Sequence, residues 1–464
     1  MSEAAENSTT IRAQVAVALV VCAVVGIGWY WLPHPVLLLG IGLAPLALIG
    51  VMRVPFLVCL AFIIFSFFRI HEAFPVLTPL RIPQALAISA ILALAWHFFA
   101  TRKIQPFWTR ELSWFALFFA LVTIGVVFAS NRGVAMSAWS DTFVKMAIMV
   151  LAISWLMRTE ADFALASRMF VVAGIMIGSV ALYNKMNGIG LIEGTRVTIG
   201  RDVRSILGDP NDLSLVLLFP ASFSFALMIG AGLKKMDRLL GFVGYVVVVL
   251  AIVATQSRGG LLGVMAVSGL LFYQRVKSPI LVLSVGAIAL SGLLVAAGIS
   301  DRASGGAAED GIDESAMGRI YAWQAAFYMA VDRPLSGVGL NNFLVNYFSY
   351  SPHWDGKNHA VHSTWFGVLG ETGFPGLIVF VTMVFFVFRS IRHSVLTLES
   401  HSDKVPPRVL AMVSGVYAGL LGFVVSGTFL TQGFTWPIYV LLALTVAASR
   451  FVAELQKTAE CNAK

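Results

Sequence analysis

The sequence predicts an all-α polytopic membrane protein with about 12–14 transmembrane helices and an extracytoplasmic helical cap. The 464 residues are 58% hydrophobic and 12% charged, and their mean hydropathy is +0.85. A soluble protein carries roughly 25% charged residues, so this composition excludes a soluble domain. Apolar runs long enough to cross a bilayer recur along nearly the whole chain, which indicates a bundle of spans.

The apolar runs predict about fourteen spans of roughly 20 residues each. The first run is expected to be a retained helix, because the segment before it lacks the basic region of a signal peptide. The run at 363–388 contains Gly373 and Pro375, where a break is expected, and some runs are short, so about twelve spans is the alternative. The predicted spans are 14–33, 35–51, 54–70, 82–100, 112–130, 138–157, 163–186, 213–232, 239–255, 259–273, 279–298, 363–388, 409–430 and 435–453.

Basic residues in the short connections predict the orientation of these spans. Cytoplasmic loops are rich in lysine and arginine, and with fourteen spans the basic connections fall on the same side as both termini. That side is therefore predicted to be the cytoplasm. The residues that carry this signal are Arg102, Lys103, Arg110, Lys234, Lys235, Arg238, Arg275, Lys277, Arg389, Arg392, Lys404 and Arg408.

The opposite face carries a second set of cations that the orientation rule does not explain. The connection 187–212, the turn 255–260 and the segment 299–362 contain many arginines against a single lysine, Lys357. A guanidinium grips phosphate or carboxylate oxygens with two parallel hydrogen bonds, which an ammonium cannot do. The outer face is therefore expected to bind an anionic ligand. Its arginines are Arg196, Arg201, Arg204, Arg258, Arg302, Arg319 and Arg333.

Three regions follow from this layout. Residues 1–298 are predicted to form a transmembrane bundle with an outer loop at 187–212, and residues 363–464 the C-terminal transmembrane helices and a cytoplasmic tail. Residues 299–362 are predicted to be an extracytoplasmic loop with short helices. In it, the polar, glycine-rich stretch 303–314 indicates a flexible loop, and 316–331 indicates an amphipathic helix closed by Asp332-Arg-Pro334. A turn at 337–342 precedes a second short helix.

Three motifs on the outer face together resemble the O-antigen ligase/polymerase superfamily of bacterial envelope glycosyltransferases. The stretch Ser315–Trp323 is most similar to O-glycosylation ligases of exosortase A systems, whereas Asp209-Pro-Asn211 is similar to the broad superfamily. In the N-terminal part the resemblance rests on hydropathy alone. The motifs are Gly194-Thr-Arg-Val197 with Gly208-Asp-Pro-Asn211; Ser257-Arg-Gly-Gly260; and Gly318-Arg319 with Asp332–Gly339, His362-Ser363 and Gly370-Glu-Thr-Gly373.

The resemblance implies a glycan ligase in a bacterial inner membrane. Such an enzyme takes an oligosaccharide from an undecaprenyl-diphosphate carrier and passes it to a lipid, saccharide or protein acceptor on the periplasmic side. A polymerase that extends the same lipid-linked glycan is the alternative within the superfamily. A transporter of an anionic solute is the alternative from another class, although ionisable groups would then be expected near mid-membrane. Nucleic acid is not an expected partner.

The catalytic residues expected from the residue chemistry and the resemblance are His362 and Arg258. The imidazole of His362 titrates near neutral pH and can take a proton from an acceptor hydroxyl. Arg258 is expected to stabilise the charge of a leaving diphosphate. The expected substrate-binding residues are Arg196, Arg201, Arg204, Arg319, His359 and Glu371.

Each of these residues also has a simpler interpretation. Arg258 could hold a helix end at the lipid headgroups, and the loop arginines could contact anionic lipid. Glu371 could orient its neighbours. His359 and His362 could share a metal, but no third ligand with suitable spacing is evident, and neither cofactor nor metal is expected. The cysteines Cys22, Cys59 and Cys461 provide neither a disulfide framework nor a zinc ribbon.

Overall fold

The computed structural model is an all-α bundle, as the sequence predicts. It describes residues 22–23, 26–27, 30, 50–102, 104–203, 205–296, 314–354, 356, 358–401 and 403–462. The helices of eight or more residues in these ranges are α1 (Pro55–Phe67), α2 (Ile82–Ala100), α3 (Arg110–Phe128), α4 (Arg132–Leu156), α5 (Glu160–Asn187), α6 (Pro210–Ile229), α7 (Lys235–Thr255), α8 (Arg258–Val276), α9 (Pro279–Ala296), α10 (Glu314–Asp332), α11 (Phe343–Tyr350), α12 (Thr364–Ser400), α13 (Pro407–Gly427) and α14 (Trp436–Asn462).

Within the described ranges, ten helices are long and apolar enough to cross a membrane: α2 to α8 and α12 to α14. Each coincides with a predicted span. The predicted spans 54–70 and 279–298 correspond to α1 and α9, which are shorter apolar helices. The predicted spans 14–33 and 35–51 lie almost entirely outside the described residues, so the total of about fourteen stays a prediction.

The centre of the bundle is formed by α6, α13 and α14. Their apolar windows are 83%, 78% and 72% buried, against 17% for α2 at the periphery. Small residues let α6 and its neighbours approach closely: a Cβ on Gly241 of α7 would lie 2.5 Å from the backbone nitrogen of Met228, and one on Gly263 of α8 would lie 2.6 Å from Leu218. Close approach through glycine is how membrane helices gain packing energy, because apolar burial gains little against lipid tails.

Helix α12 breaks where the sequence predicts. Gly373 has φ 70° and ψ −171°, which is not helical and which only glycine adopts without strain. The break divides α12 into a short first part, 364–372, and a long second part, 374–400. In the first part Phe366 stacks on Trp323 of α10, and in the second Phe386 stacks on Trp114 of α3 and Phe388 contacts Tyr417 of α13.

The cap consists of α10 and α11, and it has its own apolar core. The predicted amphipathic helix at 316–331 is confirmed as α10, and the predicted second short helix is α11. Buried residues from both helices and from the segment before α12 form the core cluster: Ala322, Ala325, Ala326, Met329, Val338, Phe343, Tyr347 and Val361. The predicted flexible loop at 303–314 lies outside the described residues except for Glu314, whose side chain is also outside them.

The two ends of the bundle differ in character. At one end, where α5, α7 and α13 begin, the buried carboxylate of Asp237 accepts hydrogen bonds from Arg168 Nε at 2.8 Å and Arg408 Nε at 2.9 Å. The basic connections 234–238 and 275–277 lie at this end. The opposite end holds the loop 188–209, the turn 256–257 and the start of α12, so all three sequence motifs lie there.

Candidate active site

The first motif is joined to the second by Arg196 and Asn211. Asp209 is the N-cap residue of α6. Its Oδ1 accepts the backbone N–H of Asn211 at 2.7 Å and that of Asp212 at 3.3 Å. Arg196, which is buried, donates from Nη2 to Asn211 Oδ1 at 3.1 Å and from Nε to the carbonyl of Thr255 at 3.2 Å. Ser257 Oγ donates to the same Asn211 oxygen at 3.0 Å. The outer loop is therefore fastened to the turn between α7 and α8.

The second motif, Ser257-Arg-Gly-Gly260, is a helix start. Ser257 Oγ accepts the backbone N–H of Gly260 at 3.3 Å, which satisfies one of the free donors of α8. A Cβ on Gly260 would lie 2.6 Å from Ser214 Oγ, so glycine is required for α8 to pack against α6. This geometry places Arg258 in the first turn of α8, where its side chain is exposed at the end of the bundle that holds the three motifs.

Two stretches of the third motif, 332–339 and 370–373, pair with the backbone of each other or of the adjoining residue. Val338 N donates to Gly370 O at 2.9 Å, Gly339 N to Glu371 O at 3.0 Å, and Phe374 N to Pro334 O at 2.9 Å. This pairing requires glycine at position 337, because a Cβ there would lie 2.4 Å from Gly370 O. The segment 332–339 therefore fits against the broken part of α12 and fixes the cap to the bundle.

Glu371 lies within this pairing and is buried, with 8% of its surface exposed. Its Oε2 accepts the backbone N–H of Asn341 at 2.8 Å, and its Oε1 accepts that of Phe343 at 3.1 Å. Both carboxylate oxygens thus hold the turn that leads into α11. The geometry favours the orienting role that the sequence left open, and its contact with substrate stays a prediction.

His362 lies just before α12 rather than on it, because the helix begins at Thr364. Its backbone is left-handed, with φ 46°. The chain is held on both sides: Trp323 Nε1 donates to Val361 O at 3.0 Å, and Thr364 Oγ1 donates to Leu430 O at 2.8 Å. The Trp323 ring also stacks on Phe366, with centroids 5.2 Å apart. Contacts from the cap and from the segment after α13 therefore fix the position of the imidazole.

A cavity of about 330 Å³ lies between the first and third motifs. Asp209 from the first motif, with His362 and Glu371 from the third, lines it. Sequence reasoning did not single out Asp209 or Asp212 as site residues, although both stand in or beside the quoted stretch Gly208–Asn211. The full lining is Asp209, Asp212, Asn341, Phe343, Leu344, Ala360, Val361, His362, Gly367, Val368, Glu371, Thr431, Gly433 and Phe434.

The segment between α13 and α14 also contributes to this cavity, which the sequence did not indicate. Gln432 donates from Nε2 to Asp212 Oδ1 at 3.4 Å, and its backbone N–H donates to Thr364 Oγ1 at 3.1 Å. Tyr439 donates its hydroxyl to Gly433 O at 2.6 Å. These contacts join the start of α12 to the starts of α6 and α14. Only a signal linking positions far apart in the chain could have found them.

The surroundings of His362 favour its neutral form. Burial lowers the pKa of the His362 imidazole from its ordinary value of 6.5, and the positive charge of Arg319 lowers it further. His359 and Arg196 act in the same direction with smaller effects, while the negative charge of Asp209 opposes them. The neutral form of the imidazole, which can accept a proton, is therefore favoured over the charged form.

The remaining predicted site residues are placed as follows. Arg319, on α10, and His359 are half-buried, and the charges of both act on His362. Arg201 is exposed in the turn 201–203, and neither it nor Arg258 lines the cavity. Arg204 lies outside the described residues. Among the described residues, no group of three or more His, Cys, Asp or Glu side chains is arranged to hold a metal ion.

Comparison with known proteins gives one family match. Residues 243–381 match the family described as O-Antigen ligase. The match begins within α7 and ends within α12, so it contains the second and third motifs and the cap. No curated protein matches the chain. The chain therefore contains, at residues 243–381, a region similar to the O-antigen ligase family, and this agrees with the superfamily resemblance of the second and third motifs.

Proposed function

We propose that the protein is a glycan ligase of the bacterial inner membrane. It transfers an oligosaccharide from an undecaprenyl-diphosphate carrier to a lipid, saccharide or protein acceptor. The observation that carries the proposal is the cavity between the first and third motifs, lined by His362, with the second motif joined to the first at the same end of the bundle. The similarity of 315–323 to ligases of exosortase A systems supports a ligase over a polymerase.

The orientation of the site follows from the charges at the two ends. Lys234, Lys235, Arg275 and Lys277 lie in short connections at the end opposite the cavity, and such residues mark the cytoplasmic side. The cavity would then face the periplasm, with both termini in the cytoplasm. A carrier lipid embedded in the outer leaflet can present its diphosphate at this level.

In the proposed reaction, His362 takes the proton of an acceptor hydroxyl while the hydroxyl oxygen attacks the anomeric carbon of the donor glycan. The bond between that carbon and the diphosphate oxygen breaks, and its electron pair leaves with undecaprenyl diphosphate. Arg258 and the other outer arginines stabilise the charge that develops on the diphosphate. A bound metal has no step in this scheme.

A deletion strain complemented with the wild type or with His362→Ala tests the function. The proposal predicts that the deletion strain accumulates lipid-linked polymer and contains unmodified acceptor. The wild type should restore transfer, and the alanine variant should not. Accumulation of single lipid-linked repeat units would indicate the polymerase instead. Unchanged glycans with defective uptake or export of an anionic solute would indicate a transporter.

A further inference from the structure

Asp209 combines a structural role with a charge that the structural role does not need. It is the N-cap residue of α6. Its Oδ1 accepts both capping hydrogen bonds, at 2.7 Å from Asn211 N and 3.3 Å from Asp212 N. Asparagine caps a helix about as well as aspartate does. The negative charge is therefore available for another purpose.

Asp209 and His362 line the same cavity, and their charges interact. Three cationic or titratable groups on other parts of the chain lower the pKa of His362: Arg319 on α10, Arg196 in the loop 188–209 and His359 in the segment before α12. Each of them disfavours a positive charge on His362. Of the acidic groups in the described part of the chain, Asp209 is the one whose charge favours it.

The other two acids of the cavity are engaged elsewhere. Asp212 Oδ1 accepts from Gln432 Nε2 at 3.4 Å. Glu371 uses both carboxylate oxygens for backbone N–H groups. Asp209 is the acid of this cavity whose charge raises the pKa of His362.

We propose that Asp209 is a positioning residue that stabilises the imidazolium formed when His362 takes the acceptor proton. The inference rests on the proposed function. Proton transfer turns a neutral ring into a cation beside Arg319 and Arg196, and this repulsion raises the barrier unless a carboxylate offsets it. The arginines favour the neutral base before reaction, and Asp209 lowers the cost of its protonated state during it.

The substitution Asp209→Asn separates the two roles, because it keeps the cap and removes the charge. Without the carboxylate the pKa of His362 falls further, so the imidazole becomes a weaker base. The maximal rate should then fall by about tenfold, since general-base catalysis follows the basicity of the base and contributes about 10²–10⁴-fold in total. The acid limb of the pH–rate profile should move to lower pH, because the neutral form persists to lower pH.

The test uses purified full-length protein in detergent with a lipid-linked donor and an acceptor, assayed from pH 5 to 9. The variants are Asp209→Asn, His362→Ala and the control Asp162→Asn. Asp162 also serves a helix start, where its Oδ2 accepts the backbone N–H of Thr159 at 2.8 Å, but it lies at the other end of the bundle. The control should retain the wild-type rate and profile.

Each outcome decides a separate point. A wild-type rate and an unmoved acid limb in Asp209→Asn would reduce Asp209 to a cap residue, and a lower rate with an unmoved limb would also overturn the inference. If His362→Ala retains activity, the proposed function of that residue fails instead. Should Asp209→Asn not fold in detergent, Asp209→Ser, which also caps helices, takes its place with the same expected limb shift.

Discussion

The buried carboxylate of Glu371 gives a prediction whose magnitude follows from its two hydrogen bonds. Glutamine at this position has almost the same shape but only one acceptor oxygen, so either Asn341 N or Phe343 N loses its partner. A buried N–H group that loses its partner costs about 1–3 kcal/mol, and we expect Glu371→Gln to lower the free energy of unfolding by about that amount. Glu371→Ala removes both acceptors and should cost about twice as much.

Unfolding of the purified protein in mixed detergent micelles measures this loss, and a transfer assay on the same samples measures function. The control is Glu160→Gln, whose carboxylate is 45% exposed and lies 3.9 Å from Arg408 Nη1. That surface pair should contribute less than about 1 kcal/mol. We expect Glu371→Gln to retain reduced transfer, because the turn at 341–343 is loosened but the base is intact. Wild-type stability combined with complete loss of transfer would contradict this reasoning and assign the carboxylate to the chemistry.

Three further predictions follow from the backbone, the topology and the electrostatics. Gly373→Ala should destabilise the fold by about 2 kcal/mol or more, since the φ of Gly373 is 70° and the new Cβ would lie 2.4 Å from Pro334 O. The control Gly269→Ala should not destabilise the fold, because nothing lies within 4 Å of its new Cβ. Unfolding of both variants side by side checks this, and equal stabilities would refute it. Cysteines replacing Arg201 and Arg258 should react with an impermeant thiol reagent from outside intact spheroplasts, whereas cysteines replacing Lys235 and Arg392 should not; the reverse pattern would invert the topology. Arg319→Gln should move the acid limb of kcat/KM to higher pH: Arg319 lowers the pKa of His362, the neutral imidazole is the active form, and removing the charge raises that pKa. A limb that stays in place would show that Arg319 does not act on the base.

The sequence predicted the spans well because bilayer crossing needs long apolar runs, and these are visible one residue at a time. It also located the break at Gly373. It did not predict that α12 continues to Ser400, twelve residues beyond the expected end at 388, because hydropathy ends at the membrane surface while the helix does not. Element ends depend on local hydrogen bonds rather than on burial in lipid.

The site was only partly predictable for a related reason. The motifs were identified by residue type, and the structure brings all three together. The use of Arg196 to hold Thr255 and Asn211, and the contact of Gln432 with Asp212, depend on how distant segments pack. The placement of His362 before the helix depends on its left-handed backbone, which the composition of 359–373 does not indicate.

The central claim is that His362 is the base of a transfer reaction at the outer end of the bundle. The most direct measurement is the rate of glycan transfer by purified wild type and His362→Ala, with lipid-linked donor and acceptor in detergent and with chelator present. The account predicts that the wild type is active and that the alanine variant loses about 10²–10⁴-fold while still binding donor, with His359→Ala affected less. Near wild-type turnover by His362→Ala, or a wild type that the chelator stops, would contradict it.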